Sequence, residues 1–462
     1  MRSTVCTLLK RRSLASAASS LRMVLFLLLA ACNASRHEDR VIDEPLLDMR
    51  NGKADLSIPP PLCKGRTCQV PKCPDGSPTE IVGKVFAGNG ADPVPAAAVF
   101  IPVFDLPEFP SSLGCDLCND IPVSVASTQT DFDGSFRLRY TPSGSQPVVV
   151  RLGRFQRVVT MDIVPCTENT IPADPGTSGK GVRLPRKTGE LSSQDNLPRI
   201  AVASGDYDQI ECVLKRIGID EVDLFNGRSP GATNPPTIAE LSTLLTDEKR
   251  LLRYNILIIN CTDNQYQSLL SQSGVKATLE KFVRSGGRLY VTDWAYDVIE
   301  QVPQFSPYIC FEPQSLPGPA MCMANPERAT AADSRSPYGG KNKVLDPQMV
   351  KWLQQFPGTI NPNNEVDIGY SFVVVNSTSA DPKTMTKTWV QGPTPIGTRP
   401  QTVTFDYNSC GRVHFSTYNT EPDGVVNEST RWPNSCKGNF TPQERLLEYL
   451  FFNIASCVNA PG

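Results

Sequence analysis

From residue 198 onward the sequence alternates short apolar runs with segments that carry apolar residues at helical spacing, and this alternation constrains the fold more than any other feature. Strands that alternate with helices in this way form a parallel sheet with helices on both faces. The sequence therefore predicts an α/β domain at 198–462. The runs predicted to be its buried strands are 199–203, 221–225, 254–261 and 288–293.

This α/β domain is interrupted by a long insertion at about 301–400, which is rich in proline and polar residues and is predicted to be irregular apart from one short helix. After the insertion, 402–406 and 412–417 are predicted to be paired strands. The last helix is predicted to begin at Thr441-Pro442-Gln443-Glu444, because this segment has the capping-box pattern with proline at the first helical position.

Residues 78–166 show a different pattern, in which short β-rich segments such as 81–86 and 98–103 are separated by turn signals. Such a pattern predicts a small all-β sandwich. The segment 167–197 is rich in proline, glycine, serine and charged residues, and is predicted to be a linker. The chain is thus expected to be multi-domain, with an N-terminal sandwich followed by the α/β domain.

The N-terminus has the pattern of a signal peptide, with a basic lead at 1–22 and a short apolar run at 23–31. This run is too short to cross a bilayer, which needs about 20 apolar residues. The segment Leu29-Ala30-Ala31-Cys32 resembles the bacterial lipobox. The resemblance implies that residues 1–31 are removed and that Cys32 receives a lipid. An ordinary signal peptide is the alternative.

Residues 32–77 are polar and proline-rich, and are predicted to be an extended tether that follows the anchor. Asn33, not aspartate, follows Cys32, and the sorting rule for lipobox proteins then implies the outer membrane. A net charge of −2 indicates neither nucleic acid nor an anionic surface as a partner. We expect the membrane as one partner, through the lipid, and envelope proteins or polysaccharide as others.

The use of cysteine agrees with export. Of the fifteen cysteines, thirteen remain apart from Cys6 and Cys32, a density that is typical of an oxidising compartment. Two of the three cysteines in the tether are expected to close a small loop. The other predicted disulfides are Cys310–Cys322 and Cys410–Cys436.

Metal and redox chemistry have little support in the sequence. His37 and His414 are the only histidines, so a zinc site with paired histidines is excluded. We expect neither a metal nor a cofactor, with a four-cysteine metal site as the open alternative. Cys115-Asp116-Leu117-Cys118 has the spacing of a redox site, but its loop-like flanks favour structural disulfides.

Residues 78–166 resemble the carboxypeptidase regulatory-like domain, a transthyretin-like sandwich that usually serves as an accessory module. The resemblance is carried by the opening strand 81–85, by the strand start at 95–99 and by the turn at 130–136. Asp131-Phe132-Asp133-Gly134 within that turn is predicted to lead into a strand. A calcium loop is the alternative.

The α/β domain resembles the class I glutamine amidotransferase-like fold, a flavodoxin-like doubly wound sheet. The resemblance is carried by 254–261, 282–291 and 410–417, and covers roughly 198–300 and 400–457. Active members of that family place a cysteine on the sharp turn after a strand, and a histidine after a late strand activates it.

This chain departs from the family at both positions. The sharp turn holds Thr292-Asp293-Trp294-Ala295, and Asn419 follows the late strand. Cys261 lies one strand too early for the nucleophile, and is interpreted as a buried cysteine or a disulfide partner. His414 lies inside the late strand and is interpreted as structural. We therefore expect no catalytic residues of the amidotransferase type.

Asp293, Trp294, Tyr296 and Asp297 are the best remaining candidates for a binding site, because ligands of such sheets bind at the carboxyl ends of the strands. The alternative is a helix N-terminus whose acidic residues complement the helix dipole. We expect a non-catalytic envelope lipoprotein with a binding or structural role. The alternative function is a hydrolase of amide or ester bonds with an atypical site around Asp293.

Overall fold

The computed structural model describes residues 63–458, apart from 119, 178, 180, 229–237, 263–264, 313–332, 382–383, 385, 421–435 and 437. All described residues belong to one compact unit, which begins at Leu62. The predicted signal peptide, the lipidation site Cys32 and residues 32–62 of the tether lie outside them. Within the described part of the chain, no helix is long and apolar enough to cross a membrane.

The protein is mostly β-sheet with few helices, and its first region contains two four-stranded sheets. A short 3-10 helix, Gly65–Gln69, precedes them. The strands are β1 (Glu80–Phe86), β2 (Ala98–Pro102), β3 (Ser124–Gln129), β4 (Ser135–Arg139), β5 (Gly144–Leu152), β6 (Phe155–Ile163), β7 (Glu168–Thr170) and β8 (Val182–Arg183). One sheet has the order β3-β2-β5-β6, and in the other β1 pairs with β4, β7 and β8.

Alternation along the strands explains how these two sheets share a core. In β4, Phe136 and Leu138 are buried, whereas Arg137 and Arg139 face outward. The inward side chains of the β2 sheet, such as Val99 and Ile101, belong to the same hydrophobic cluster as those of β4. The two sheets therefore pack through their apolar faces.

The segment predicted to be a linker, 167–197, is largely built into this region, which corrects the prediction. It supplies β7 and β8, and it surrounds Arg157, which is only 1% exposed. Arg157 Nη1 donates to Asp195 and Arg157 Nη2 lies 3.0 Å from Glu190 Oε2. The charged residues that suggested a solvated linker instead neutralise one buried arginine.

The second region is built on a nine-stranded sheet with the order β10-β9-β11-β12-β19-β18-β17-β14-β15. Its first half comprises β9 (Ile200–Ser204), α1 (Ile210–Arg216), β10 (Asp223–Asn226), α2 (Leu241–Leu245), α3 (Glu248–Leu251), β11 (Ile256–Ile259), α4 (Gln265–Leu270), α5 (Val275–Arg284), β12 (Arg288–Thr292), the 3-10 helix Asp293–Tyr296 and α6 (Asp297–Glu300). The remaining elements are β13 (Ile309–Phe311), β14 (Asp333–Val344), α7 (Pro347–Leu353), β15 (Glu365–Val373), β16 (Val375–Thr378), β17 (Lys387–Thr394), β18 (Gly397–Tyr407), β19 (Gly411–Ser416) and α8 (Pro442–Ala455).

The first five strands of this sheet, β10-β9-β11-β12-β19, are parallel. Alternate residues of β9 enter different cores: Ile200 and Val202 pack with α1 and α8, whereas Ala201 and Ala203 pack with α2, α4 and α5. Helices thus cover both faces of the parallel strands, as the sequence predicts. The predicted capping box is also present, since Glu444 N donates to Thr441 Oγ1 at 3.2 Å.

The described part of the insertion at 301–400 is largely regular, and the prediction of an irregular segment was wrong there. It supplies β14, β15 and β17, which extend the sheet through antiparallel pairing. β14 has register shifts, two glycines and few apolar residues. A strand of this composition lacks the period-two pattern on which its recognition depends.

The two regions share one continuous hydrophobic cluster. Trp352 of α7 donates from Nε1 to the Pro93 carbonyl at 2.8 Å, and Phe155 packs edge-on against Phe451 of α8. Gly218 lies directly against Gly88, and a Cβ at Gly218 would meet the Gly88 backbone at 2.2 Å. The sandwich end that holds the β1–β2 and β5–β6 turns is therefore fixed against α1, α7 and α8.

The disulfides differ from the predicted pairing. Cys410 bonds to Cys115 and Cys436 bonds to Cys212, so the predicted Cys410–Cys436 bond is wrong. Cys410 precedes β19 at the amino edge of the parallel strands, whereas Cys212 lies in α1, which follows the carboxyl end of β9. Cys436 lies beside Cys212, its disulfide partner, and therefore away from Cys410. A disulfide needs Cα atoms within about 7 Å, so Cys436 cannot bond to Cys410.

Of the other described cysteines, seven also form disulfides and Cys261 does not. Cys310 is disulfide-bonded, and its predicted partner Cys322 lies outside the described residues. The small loop expected in the tether is confirmed. The other disulfides of the described chain are Cys63–Cys68, Cys73–Cys166 and Cys118–Cys457.

Candidate functional site

The carboxyl ends of β9, β11, β12 and β19 meet at one edge of the sheet, because these strands are parallel. Ligands of parallel α/β sheets bind at this edge. The loops that follow the four strands bring together buried polar side chains: Asp206, Asp208, Asn260, Cys261, Thr262, Thr292, Asp293, Asn419 and Thr420.

Asp208 links three of these loops. Its carboxyl group accepts hydrogen bonds from Thr292 Oγ1 at 2.5 Å, from Thr420 Oγ1 at 2.6 Å and from the Thr420 amide at 2.9 Å. Asp208 is fully buried, and burial raises its pKa. Because its oxygens are used to hold β12 and β19 to the loop after β9, the role of Asp208 is structural.

A second buried carboxyl group, Asp206, holds the neighbouring part of the edge. Arg228 Nε lies 3.3 Å from Asp206 Oδ1, and Thr262 Oγ1 donates to Asp206 Oδ2 at 2.5 Å. Asn260 Nδ2 donates to Glu211 at 2.9 Å. Arg228 thus neutralises the charge of Asp206, and Asn260 supplies a hydrogen bond to Glu211. In the described part of the chain, no group of three or more candidate ligands is arranged to hold a metal ion.

Asp293 occupies the sharp turn after β12, where the amidotransferase-like pattern requires a nucleophile. Its φ of 41° is in the left-handed region, which a non-glycine residue rarely adopts. Its side chain is completely buried, and Oδ1 accepts hydrogen bonds from the amides of Val373 at 3.2 Å and Phe372 at 3.4 Å. The end of β15, which belongs to the insertion, therefore closes this turn.

Cys261, the free cysteine of the described chain, lies beside Asp293, with Sγ 3.8 Å from Asp293 Oδ2. Burial raises the pKa of the thiol well above 9.0, and the nearby Asp293 and Asp208 raise it further. A nucleophilic cysteine must be a thiolate. Cys261 is therefore a protonated, enclosed thiol at neutral pH, which agrees with its interpretation as a buried cysteine.

Neither Asn419 nor His414 has the properties of a catalytic base. Asn419, which stands where the family has a histidine, is 3% exposed, and its carbonyl accepts a hydrogen bond from Gln443. His414 is completely buried, and burial lowers its pKa to about 3. Its ring lies edge-on to Tyr290 with centroids 4.4 Å apart. His414 is thus a neutral core residue, as the sequence indicates.

The other predicted binding residues lie mostly inside the protein, which corrects the expectation of an open aromatic surface. Tyr296 is 2% exposed and packs against Phe311, and Asp297 is 4% exposed. Trp294 is half-buried between Tyr207 and Phe372. The insertion supplies Phe311 and Phe372, so it covers the residues that would otherwise face solvent.

A groove of about 370 Å³ lies elsewhere, between the sandwich and α7 and α8. A volume in the range of about 300–1,000 Å³ at the junction of two regions is typical of ligand pockets. The described lining contains amides, carboxyl groups and aromatic rings, and neither lysine nor arginine. The lining residues include Ala96, Gln129, Asp131, Phe132, Gln348 and Asn453.

No sequence signal pointed to this groove, because residues that are far apart in the chain form it. Ala96, at its rim, is a non-glycine residue with a φ of 56°. Asp131 and Phe132 come from the turn before β4, which the sequence identified only as a turn. The facing residues Gln348 and Asn453 lie in α7 and α8. Only the packing of the sandwich on these helices brings the two groups together.

No protein-family model and no curated protein sequence matches this chain. Solved structures with similar regions include ThuA-like proteins, which have a glutamine amidotransferase-like fold. One from Bacteroides uniformis has 10% identity and a TM-score of 0.33, and covers 55% of this chain and 90% of its own. One from Parabacteroides merdae has 12% identity and a TM-score of 0.32, and covers 57% and 92%. A cytoplasmic protein from Salmonella typhimurium has 12% identity and a TM-score of 0.30, and covers 55% and 98%.

Proposed function

We propose that this chain is a non-catalytic lipoprotein of the cell envelope that acts by binding. The observation that carries the proposal is the state of Asp293. It holds the nucleophile position, it is completely buried, and its carboxyl group accepts hydrogen bonds from the chain's own Phe372 and Val373 amides. A nucleophile must reach a substrate and be activated by a base. Asp293 has neither access nor a basic neighbour.

The proposal also states which fold each of the two regions is related to. The parallel strands have the order two-one-three-four-five when they are numbered along the chain, which is the flavodoxin-like order. This order supports a degenerate amidotransferase-like domain. The N-terminal pair of four-stranded sheets supports an accessory module of the carboxypeptidase regulatory-like kind.

The location in the envelope rests on the N-terminal sequence and on the disulfides. The signal pattern at 1–31 ends at Cys32, and Asn33 favours the outer membrane. Disulfides such as Cys73–Cys166 and Cys115–Cys410 support an oxidising compartment. If the proposal is correct, Cys32→Ser releases the protein from membranes or blocks its processing. Equal membrane retention of Cys32→Ser would contradict it.

The groove beside α7 and α8 is the proposed binding site, and envelope polysaccharide is the proposed ligand. The amides of Gln129, Gln348 and Asn453 can donate to and accept from sugar hydroxyls, and Asp131 can accept. The partly exposed Phe132 offers an apolar surface beside them. The described lining holds no lysine or arginine, and Lys387 balances the charge of the lining residue Asp346 at 2.6 Å, so the groove suits a neutral saccharide better than an anionic one.

Titration of the intact protein in detergent with soluble oligosaccharides tests this site. We expect Gln129→Ala and Asp131→Ala each to weaken binding by about tenfold, the effect of one lost hydrogen bond to a buried ligand. The matched control is Asp367→Ala, an exposed carboxylate of β15 that is absent from the groove lining. Unchanged affinity in both groove variants, or no saccharide bound at all, would overturn the assignment.

The alternative function, a hydrolase of amide or ester bonds, has one observation in its favour. The positive φ of Asp293 is the kind of backbone strain that active sites retain. In such an enzyme Asp293 would act as the nucleophile, and β15 would have to move away from it. This alternative requires turnover that depends on the Asp293 carboxyl group.

A further inference from the structure

One end of the sandwich is the end at which the segment that precedes β1 reaches it. The segment that precedes β1, residues 63–79, is called the entry segment, and β1 begins at Glu80. Strand register places Arg139 opposite Glu80, and Ile163 opposite Gly144. The β4–β5 turn and the end of β6 therefore lie at the end where β1 begins. The antiparallel pairing of β2 with β3 and β5 adds the end of β2 and the start of β3. The end of the sandwich that contains these turns and strand ends is called the entry end.

The loops of the entry end carry four exposed large hydrophobic side chains. Val123 is 76% exposed, Tyr140 63%, Phe104 59% and Val164 57%. Among the described residues these are the four most exposed side chains of this kind. Single exposed hydrophobic residues are ordinary, whereas a group on one surface indicates a contact with another molecule or with a membrane.

The entry segment touches the loops that hold these side chains. Arg66 N donates to the Val103 carbonyl at 3.0 Å, beside Phe104, and Val103 N donates to the Val123 carbonyl at 2.8 Å. Ser143 N donates to the Gln69 carbonyl at 3.0 Å, in the turn that holds Tyr140. Cys73 is bonded to Cys166, two residues after Val164. The hydrophobic side chains therefore surround the point at which the tether reaches the sandwich.

The opposite ends of the same strands are fixed to the second region. Pro93, after β1, accepts the hydrogen bond from Trp352, and Phe155, at the start of β6, packs on Phe451. The entry end is thus the end of the sandwich that α7 and α8 leave uncovered.

We propose that the entry end rests on the lipid bilayer that holds the anchor, with Phe104, Val123, Tyr140 and Val164 reaching into the interface. This inference rests on the proposed lipid at Cys32. Thirty residues, 33–62, separate that anchor from the entry segment. They span at most about 100 Å, so the entry end stays near the membrane and even a weak contact is populated.

The nature of the contact follows from the charges beside it. Lys64 and Lys72 are exposed, but so are Asp105 and Glu168. Charges of both signs give little attraction to an anionic surface, so the apolar side chains carry the contact. Membrane contact at the entry end is therefore insensitive to salt.

Tryptophan substitution in the lipidated protein, reconstituted in vesicles of brominated phosphatidylcholine, tests this proposal. Phe104→Trp and Tyr140→Trp add a reporter at the entry end, and Leu345→Trp, at a site 40% exposed in the second region, is the matched control. The fluorescence of each variant is compared with that of the unsubstituted protein, which already contains four tryptophans. We expect the fluorescence of the tryptophan added at 104 or at 140 to be quenched about twofold or more, in both low and high salt. The fluorescence of the tryptophan added at 345 should not change.

The failure of this inference can be told apart from the failure of the proposed function. If the protein is retained on membranes through Cys32 but the added signals at 104 and 140 are not quenched, the membrane-facing role of the entry end is wrong. Equal quenching at all three sites, or quenching that high salt abolishes, also overturns it. If Cys32→Ser does not change membrane retention, the lipid anchor itself is wrong.

Discussion

Asp293 and Val373 are 80 positions apart, yet Asp293 Oδ1 accepts a hydrogen bond from the Val373 amide at 3.2 Å. Asp293 follows the fourth parallel strand in chain order, and Val373 ends a strand that the insertion adds to the sheet. The insertion is therefore part of the sheet. It reaches the turn at which active glutamine amidotransferase-like enzymes carry a nucleophile. The position expected to bind a ligand is occupied by the chain itself.

Replacement of Asp293 tests whether its carboxyl group has this structural role. Asp293→Ala is expected to lower the free energy of unfolding by about 1–3 kcal/mol, because two buried amides lose their acceptor. Asp293→Asn retains an acceptor oxygen and is expected to cost less. Denaturant unfolding at neutral pH measures both values. A loss for Asp293→Asn as large as that for Asp293→Ala would contradict the role.

Glu190 is expected to make the protein sensitive to acid. Despite partial burial, hydrogen bonds from Arg183, Arg157 and the Arg186 amide lower its pKa from 4.5 to about 2. A lowered pKa in the folded state stabilises the protein above pH 4.5, and this stability is lost as the pH falls toward 2. Glu190→Gln should therefore flatten the loss between pH 4.5 and 2. Identical pH profiles of denaturant unfolding for both proteins would refute this role.

The disulfides of the Cys115-x-x-Cys118 segment are expected to join the two regions. Non-reducing peptide mapping should find Cys115 with Cys410 and Cys118 with Cys457. Loss of either bond in a double-serine variant should cost about 2–5 kcal/mol, because each bond closes a long loop. A direct Cys115–Cys118 bond would instead support a redox role for this segment.

The Cys261 thiol is expected to be unreactive in the folded protein. It is buried, and burial holds its pKa well above 9.0. Thiol-reactive probes should label Cys261 only after the protein is unfolded, with Cys261→Ala as the control that loses the label. Rapid labelling of Cys261 in the native protein would indicate an accessible thiolate and would reopen a nucleophilic role.

The central parallel strands β9 and β11 could be predicted because burial on both faces gives each a continuous apolar run, as in 256–259. The strand β14, with its glycines and its bulges, offers no such pattern, and the strands that the insertion adds to the sheet were missed. The sequence places the sharp turn at 292–295, where Asp293 has its positive φ. Its burial was not predictable, because it depends on the distant residues Phe372 and Val373.

The pairing of cysteines could not be predicted either. Cys118 and Cys457 are 339 positions apart, and local spacing carries no information about such a bond. The groove was missed for the same reason, since Gln129 and Asn453 meet only when the sandwich packs on α8.

Assays of turnover decide whether this chain is a binding protein or an enzyme. The intact protein, Asp293→Ala and Asp293→Asn would be assayed side by side on glutamine, peptides and esters, with folding of each variant checked first. The proposed non-catalytic role predicts no turnover above background in any of the three proteins. Turnover by the intact protein that is lost in the folded Asp293→Asn variant would contradict the claim and establish the hydrolase.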